Sequence, residues 1–391
     1  MSDNKFKVHT QPPITWFNPS IYWSSDDSKF IHSSDFNPLN NTLALSVDDD
    51  IILYQIDERI NTAPVFITIF ENTQINHHCS KIAWSKDGNI LAATSSNKLK
   101  LFAKSQIASE THDTETLGGS KETWKPLNED ISLDHEIVDI KWGQNKSLYI
   151  LSDEEIAVYN FDGKNFYLED SKNFADNENE DTATSMTIDP LSEFIAIQYV
   201  PASSTSFVDI LDISTFNRIC RIGDKSKSPF INAAAISMDY RAELAFTPDG
   251  KFLVCPRGVY EGEYCAHVFN REHFSRRITI PYASLFTYKY PPRIVQIMPQ
   301  LIGSGYIIAL GFGSRVAFFG ENFEPITMIS NISHNTPIST ISFTDNCKIA
   351  FISASESTSG SICKFDFDEN DKKKVQICED KIKMKIQDTL Q

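Results

Sequence analysis

Chemistry in this sequence would have to come from nine histidines, seven cysteines or the carboxylates, and none of these groups is spaced for catalysis. The histidines are scattered. His77 and His78 are the one adjacent pair, and a metal held there needs further ligands from distant segments. The cysteines (Cys79, Cys220, Cys255, Cys265, Cys347, Cys363 and Cys378) form no CxxC pair and sit mostly in strand-like runs, which reads as reduced core thiols. No GxSxG elbow, P-loop, HExxH or GxGxxG occurs, and GFGSRV from Gly311 lacks the third glycine. The expectation is a non-enzymatic chain with no cofactor and no metal.

The carboxylates say more about partners. A net charge of −16 sets this chain against a polyanion, so direct nucleic-acid binding is disfavoured and a basic protein is attracted. The acids gather in short runs: Asp48 to Asp50, the run ADNENED that holds Asp176, Glu178, Glu180 and Asp181, and DFDEND from Asp366 to Asp371. Each run taken alone also reads as a solvated loop tip that keeps a β-rich protein soluble.

The elements that must carry these groups are set by a repeat. Six times an apolar or aromatic residue precedes a polar turn and a short run of strand formers: FNPLNNTLALS from Phe36, WSKDGNILAATS from Trp84, WGQNKSLYILS from Trp142, IDPLSEFIAIQ from Ile188, FTPDGKFLVCP from Phe246 and FTDNCKIAFIS from Phe343. The period, roughly 50 residues, is that of propeller blades. A four-stranded blade cannot bury both faces alone, so the repeat predicts an all-β, seven-bladed β-propeller over residues 1–367. PPRIVQIMP with GYIIALGFGSRVAFFG fills the place of a sixth blade that lacks the turn signature. Long loops are expected near 103–123, where the polar stretch SQIASETHDTETLGGSKE reads as mobile, and near 170–182; a short charged tail covers 368–391.

FKVHTQPPITW at the N-terminus has no blade of its own, and it is predicted to close the ring as the outer strand of the last blade. His78, His135 and His334 each stand shortly before an innermost strand, where they can hydrogen-bond to neighbouring turns; Trp84, Trp142, Phe246 and Phe343 open repeats as structural residues. The start, MSDNKFKVHT, has no apolar core, and no later segment offers about 18 uninterrupted apolar residues, so a soluble, unsecreted protein away from membranes is expected.

The repeats resemble one family. LAFTPDGKFLVCPRG (Leu244 to Gly258) followed by HVFNREHFSRRITIP (His267 to Pro281) is similar to the fifth blade of the WD-repeat middle subunit of chromatin assembly factor 1, with its "VFxRxxxxRPIxxLP" strand pair. KVHTQPPITW looks like that family's opening KVxTxxIxWH. IAWSKDGNILAATSSNKLKLF, ETWKPLNEDISLDHEIVDIKW and the last repeat from Ser330 resemble the matching blades in the same order. Nearly every GH and WD dipeptide is lost, and the tail after the last repeat is shorter than the family's.

The resemblance implies a nuclear, non-catalytic subunit of a chaperone that deposits histones H3 and H4 on replicating DNA. Its implied partners are the large subunit, a second histone-binding WD subunit, the histones and the anti-silencing-function chaperone. From charge alone, Asp176, Glu178, Glu180 and Asp181 would face histones. In the family a tail motif of the type RRIxL adds a strand to the anti-silencing-function chaperone. SRRITI from Ser275 fits its letters but reads as a core strand of the fifth blade. KKKVQI, with Lys373, Lys374, Val375 and Ile377, fits more loosely in the tail or serves as an edge strand of the last blade. Other readings are a propeller of the replication-independent histone regulator complex, against which the lack of a second half counts, a scaffold outside chromatin, and a propeller hydrolase.

Overall fold

A computed structural model describes residues 9–10, 14–15, 30–57, 64–70, 79–104, 124–127, 131–144, 146–163, 165–174, 181–201, 205–223, 228–231, 242–260, 262–274, 277–280, 291–300, 305–323, 325–329, 332, 336–355, 357 and 360–366. Two short N-terminal strands, β1 (His9–Thr10) and β2 (Ile14–Thr15), come first. Blade 1 is β3 (Ile31–Phe36), β4 (Thr42–Val47), β5 (Asp50–Gln55) and β6 (Val65–Phe70). Blade 2 is β7 (Lys81–Trp84), β8 (Ile90–Ser95) and β9 (Lys98–Lys104), with β10 (Trp124–Pro126) and β11 (Ile131–Ser132) both lying outside β9. Blade 3 is β12 (Ile137–Trp142), β13 (Ser147–Ser152), β14 (Glu155–Phe161) and β15 (Phe166–Asn173).

Blade 4 is β16 (Asp181–Ile188), β17 (Phe194–Pro201), β18 (Phe207–Asp212) and β19 (Arg218–Ile222); blade 5 is β20 (Ala245–Phe246), β21 (Phe252–Tyr260), β22 (Glu263–Asn270) and β23 (Arg277–Ile280). Blade 6 is β24 (Ile294–Ile297), β25 (Ile308–Phe312), β26 (Arg315–Phe319) and β27 (Pro325–Ile329). Blade 7 is β28 (Ile338–Phe343), β29 (Ile349–Ala354) and β30 (Gly360–Asp366). Each innermost strand meets the next around the circle, and β28 returns to β3.

The burial of each strand follows its place in the blade. Second strands such as TLALSV, ILAATS and IAFISA are buried at every position because each blade is covered on both faces by its neighbours, so alternation gives way to continuous apolar runs. The core divides into apolar clusters between adjacent blades: Leu45, Ile52 and Phe351 fill the seam of blades 7 and 1, and Ala44, Leu53, Trp84 and Leu91 that of blades 1 and 2. Each such leucine or isoleucine contributes about 1.5–3 kcal/mol by leaving water. Outer strands lack that cover, and the middle of β15 is exposed.

The six repeats are the hairpins between first and second strands. In four of them the backbone closes an i→i+3 turn onto a left-handed residue: Ser85 to Gly88 (φ 64), Asp189 to Ser192 (φ 56), Thr247 to Gly250 (φ 65) and Thr344 to Cys347 (φ 59). The hydroxyls of Ser85, Thr247 and Thr344 then accept the amide five residues on, at 3.0, 3.0 and 3.1 Å. Gly88 has a second reason to be glycine, since an added Cβ would lie 2.4 Å from the Asn37 side chain of blade 1. In blade 6 the Met298 amide donates to Ile307 O, nine residues on, a longer span than the five-residue closure from Ser85, Thr247 or Thr344, in keeping with the missing signature.

The N-terminal clasp forms as expected: His9 and Thr10 pair with Asp366 and Phe365, and Ile14 and Thr15 with Ile362 and Ser361. Three expectations need correction. The loop near 103–123 is narrower at its start, because Ala103 and Lys104 belong to β9, where they pair with Ile90 and with Lys125 and Trp124. The loop near 170–182 shrinks at both ends, as cross-strand pairing carries β15 to Asn173 and starts β16 at Asp181. Residues 277–280 of SRRITI are the outermost strand of blade 5, paired to β22, and not a core strand. The rest of both loops and the 368–391 tail lie outside the described residues. Removing residues 1–16 strips blade 7 of its outer strand, and we expect the melting temperature of the truncated protein to drop by roughly 5 °C or more. An unchanged melting curve would eliminate the clasp.

Candidate functional site

Innermost strands present one edge to the ring axis, and polar side chains answer it. Asp35 of β3 accepts the Trp84 amide of β7 at 2.7 Å through Oδ2, while Ser33 Oγ accepts the Ile82 amide at 3.3 Å. Asp139 of β12 does the same for the Met186 amide of β16 at 3.0 Å. At the closing seam Ser34 Oγ lies 2.7 Å from Thr340 Oγ1 and 3.0 Å from Ser342 Oγ. Buried donors so placed would each cost about 1–3 kcal/mol if left unsatisfied.

These strands enclose an axial cavity of about 280 Å³. Its walls carry Asp35, Asp139 and Lys141; Lys81 of blade 2 and Glu243 of blade 5 form an ion pair within it, joining two blades that are far apart in sequence. Lys141 Nζ stands 3.8 Å from Asp139 Oδ1. Burial pulls the Lys141 ammonium down, but Asp139, Glu243 and Asp35 outweigh it and hold the ammonium above its ordinary range. Burial pushes the Asp35 carboxyl up to about 6 despite the Trp84 amide and the Lys141 charge. Pro38, Lys86, Pro299 and Asp345 mark the end of the cavity beside the repeat turns.

That turn face is braced by contacts between blades. Asn37 donates to Gly88 O at 2.8 Å, Lys146 pairs with Asp87 at 3.2 Å, and Gln300 donates to Asp345 at 2.6 Å. Arg271 of blade 5 grips the fully buried Asp189 of blade 4 with Nε at 3.0 Å and a terminal nitrogen at 2.8 Å, also reaches Glu193, and lies over the Phe194 ring.

Trp84, Trp142 and Phe343 each border the cavity from a different seam between blades, and Trp142 donates its indole N–H to Ala83 O at 3.0 Å, tying blade 3 to blade 2. Phe246 lies elsewhere, in the core between blades 4 and 5. His135 faces the turn after β13, with Asp153 at 4.0 Å and Glu154 at 3.7 Å. His32, which sequence reasoning passed over, makes the related contact in blade 1, 3.0 Å from Asp48. His78, His334, Asp176, Glu178, Glu180, Lys373, Lys374, Val375 and Ile377 lie outside the described residues. Asp181 opens β16, opposite Pro201. Cys79, Cys255, Cys265, Cys347 and Cys363 are buried and in no disulfide, and burial raises the thiols of Cys79, Cys347 and Cys363 to about 12, away from reactivity. Sequence reasoning also missed the axial charges. Their signal is a charged letter inside an apolar inner-strand run, as in SSDF and VDIKW.

No protein-family model matches this chain, and no curated protein matches it. Among 1089 matching chains of known structure, one from the crystal structure of a mitotic checkpoint complex aligns with a TM-score of 0.62 and 12% identity, over 94% of this chain and 99% of that chain. At that identity the likeness is one of fold alone, in keeping with the seven-bladed β-propeller described above.

Asp35 binds its proton more tightly folded than unfolded, so its carboxyl costs stability above about pH 6, and the cost disappears as pH falls toward 4. Discounting for residual solvent access, the cost is on the order of 1–2 kcal/mol. The melting temperature of Asp35→Asn minus that of the parent should therefore rise by about 1 °C between pH 5 and pH 7.5, read by replicate thermal melts in matched buffers. A difference that stays flat over that range rejects the assignment.

Proposed function

We propose that this protein is a non-catalytic scaffold subunit of a nuclear histone chaperone of the chromatin assembly factor 1 type, holding its partners on the rim and faces of a rigid disk. What carries this reading is that the segments similar to that family's blades follow one another in the family's order along a chain that folds as seven blades with an N-terminal clasp. The hairpin turn of LAFTPDGKFLVCPRG and the VF strand that follows fall together in blade 5, as β20 to β22. The net charge of −16 supports a basic partner such as histones H3 and H4. The partners on this reading are the large subunit, a second histone-binding WD subunit and the histones.

Affinity purification of the tagged full chain should bring down the large subunit, the second WD subunit and histones H3 and H4. Co-elution of an unrelated assembly without histones would leave a generic scaffold outside chromatin. Reversing the charge at Asp176, Glu178, Glu180 and Asp181 should weaken histone binding by about tenfold at physiological salt, a loss of about 1.4 kcal/mol. Unaltered affinity would mark that run as a solubility feature. For the tail, Val375→Glu combined with Ile377→Glu should abolish a pull-down of the anti-silencing-function chaperone, and retained capture would clear KKKVQI of that role.

A further inference from the structure

The axial cavity is not assigned by the reading above, which concerns the rim and the tail, and its charges are unevenly matched. Lys81 is committed to Glu243, and Lys141 stands beside Asp139. Asp345 accepts from Gln300, and Lys86 sits exposed at the mouth. Asp35 accepts the Trp84 amide, yet among the described residues no cation stands within ion-pair distance of it; Lys141 and Lys86 act on it only through their longer-range fields. Beside the Lys81–Glu243 and Lys141–Asp139 pairs, Asp35 is thus the cavity carboxylate that no described cation reaches at ion-pair distance.

We propose that the axial cavity is a binding site for a single basic side chain, presented by an extended segment of a partner protein and seated against Asp35. Three observations carry this. A volume of about 280 Å³ falls below the usual range of whole-ligand pockets but accommodates one long side chain. A cation arriving beside Asp35 would meet a carboxylate that no described cation pairs, whereas an anion would meet it as a like charge. The mouth is pre-formed, because the turns around it are braced by Asn37 on Gly88 and Gln300 on Asp345, so little ordering is needed on binding. The inference does not require the partner to be a histone.

Capped pentapeptides Gly-Gly-Arg-Gly-Gly, its citrulline counterpart and its Glu counterpart, titrated calorimetrically into the full chain, test the site independently of any histone. The arginine peptide should bind at least about tenfold more tightly than the citrulline peptide, with the glutamate peptide weakest. Asp35→Asn should remove the arginine preference while leaving citrulline binding unchanged. Lys86→Glu, at an exposed position that leaves folding alone, should tighten the arginine peptide several-fold and serves as the deciding variant if Asp35→Asn does not fold. Equal binding of arginine and citrulline peptides, failure of the arginine peptide to bind, or an unmoved affinity in Lys86→Glu would overturn the proposal.

Discussion

A strand that lines the axis of a seven-bladed ring has no partner strand on its inner side, and the whole molecule depends on how that edge is satisfied. Here the answer is a side chain on the preceding blade: Ser33 and Asp35 for blade 2, and Asp139 for blade 4. Between blades 5 and 6 the backbone does it directly: the Glu243 amide donates to Arg293 O and the Val295 amide to Glu243 O, both at 2.9 Å. Each of these contacts fixes the angle between two blades, and the apolar clusters then pack at an angle already chosen. The polar cost of burying a carboxylate is thereby converted into geometry, since an Asp that accepts a buried amide cannot be swapped for an apolar residue without orphaning the donor.

What could be read from the letters follows from how local each feature is. The first-to-second-strand hairpins were legible because Ser85, Thr247 and Thr344 complete their turns within five residues. The clasp was legible because a strand-like segment stood before the first repeat with no blade to join. Position within a blade was harder. The alternation in SRRITI looks the same on an inner and an outer strand, and only counting hairpins puts it outermost. The axial cavity was not legible at all. Its charges come from residues 35, 81, 86, 139, 141, 243 and 345, and nothing in a linear window announces that seven such letters converge on one axis.

The same locality explains why the fold is plain while sequence matches are absent. Two of the four closed repeat turns end on glycine, but Ser192 and Cys347 occupy the same left-handed backbone at an energetic cost of order 1–3 kcal/mol each. What persists from turn to turn is a dihedral angle and a hydroxyl or carboxyl cap, not a residue type. Ties between blades vary likewise: amide to carbonyl at Asn37, ammonium to carboxylate at Lys146, guanidinium to carboxylate at Arg271. A ring built from interchangeable solutions tolerates wide divergence in its letters.

The clasp has a consequence for biosynthesis. The strands β1 and β2 precede blade 1 in the chain, yet among the described residues they pair with β30 of blade 7. The nascent chain must therefore carry a waiting segment through synthesis of six blades, and the final circle is sealed only after translation of the seventh. Until then the growing arc exposes the apolar faces of its two terminal blades, and slow elongation through blade 7 would lengthen that exposure.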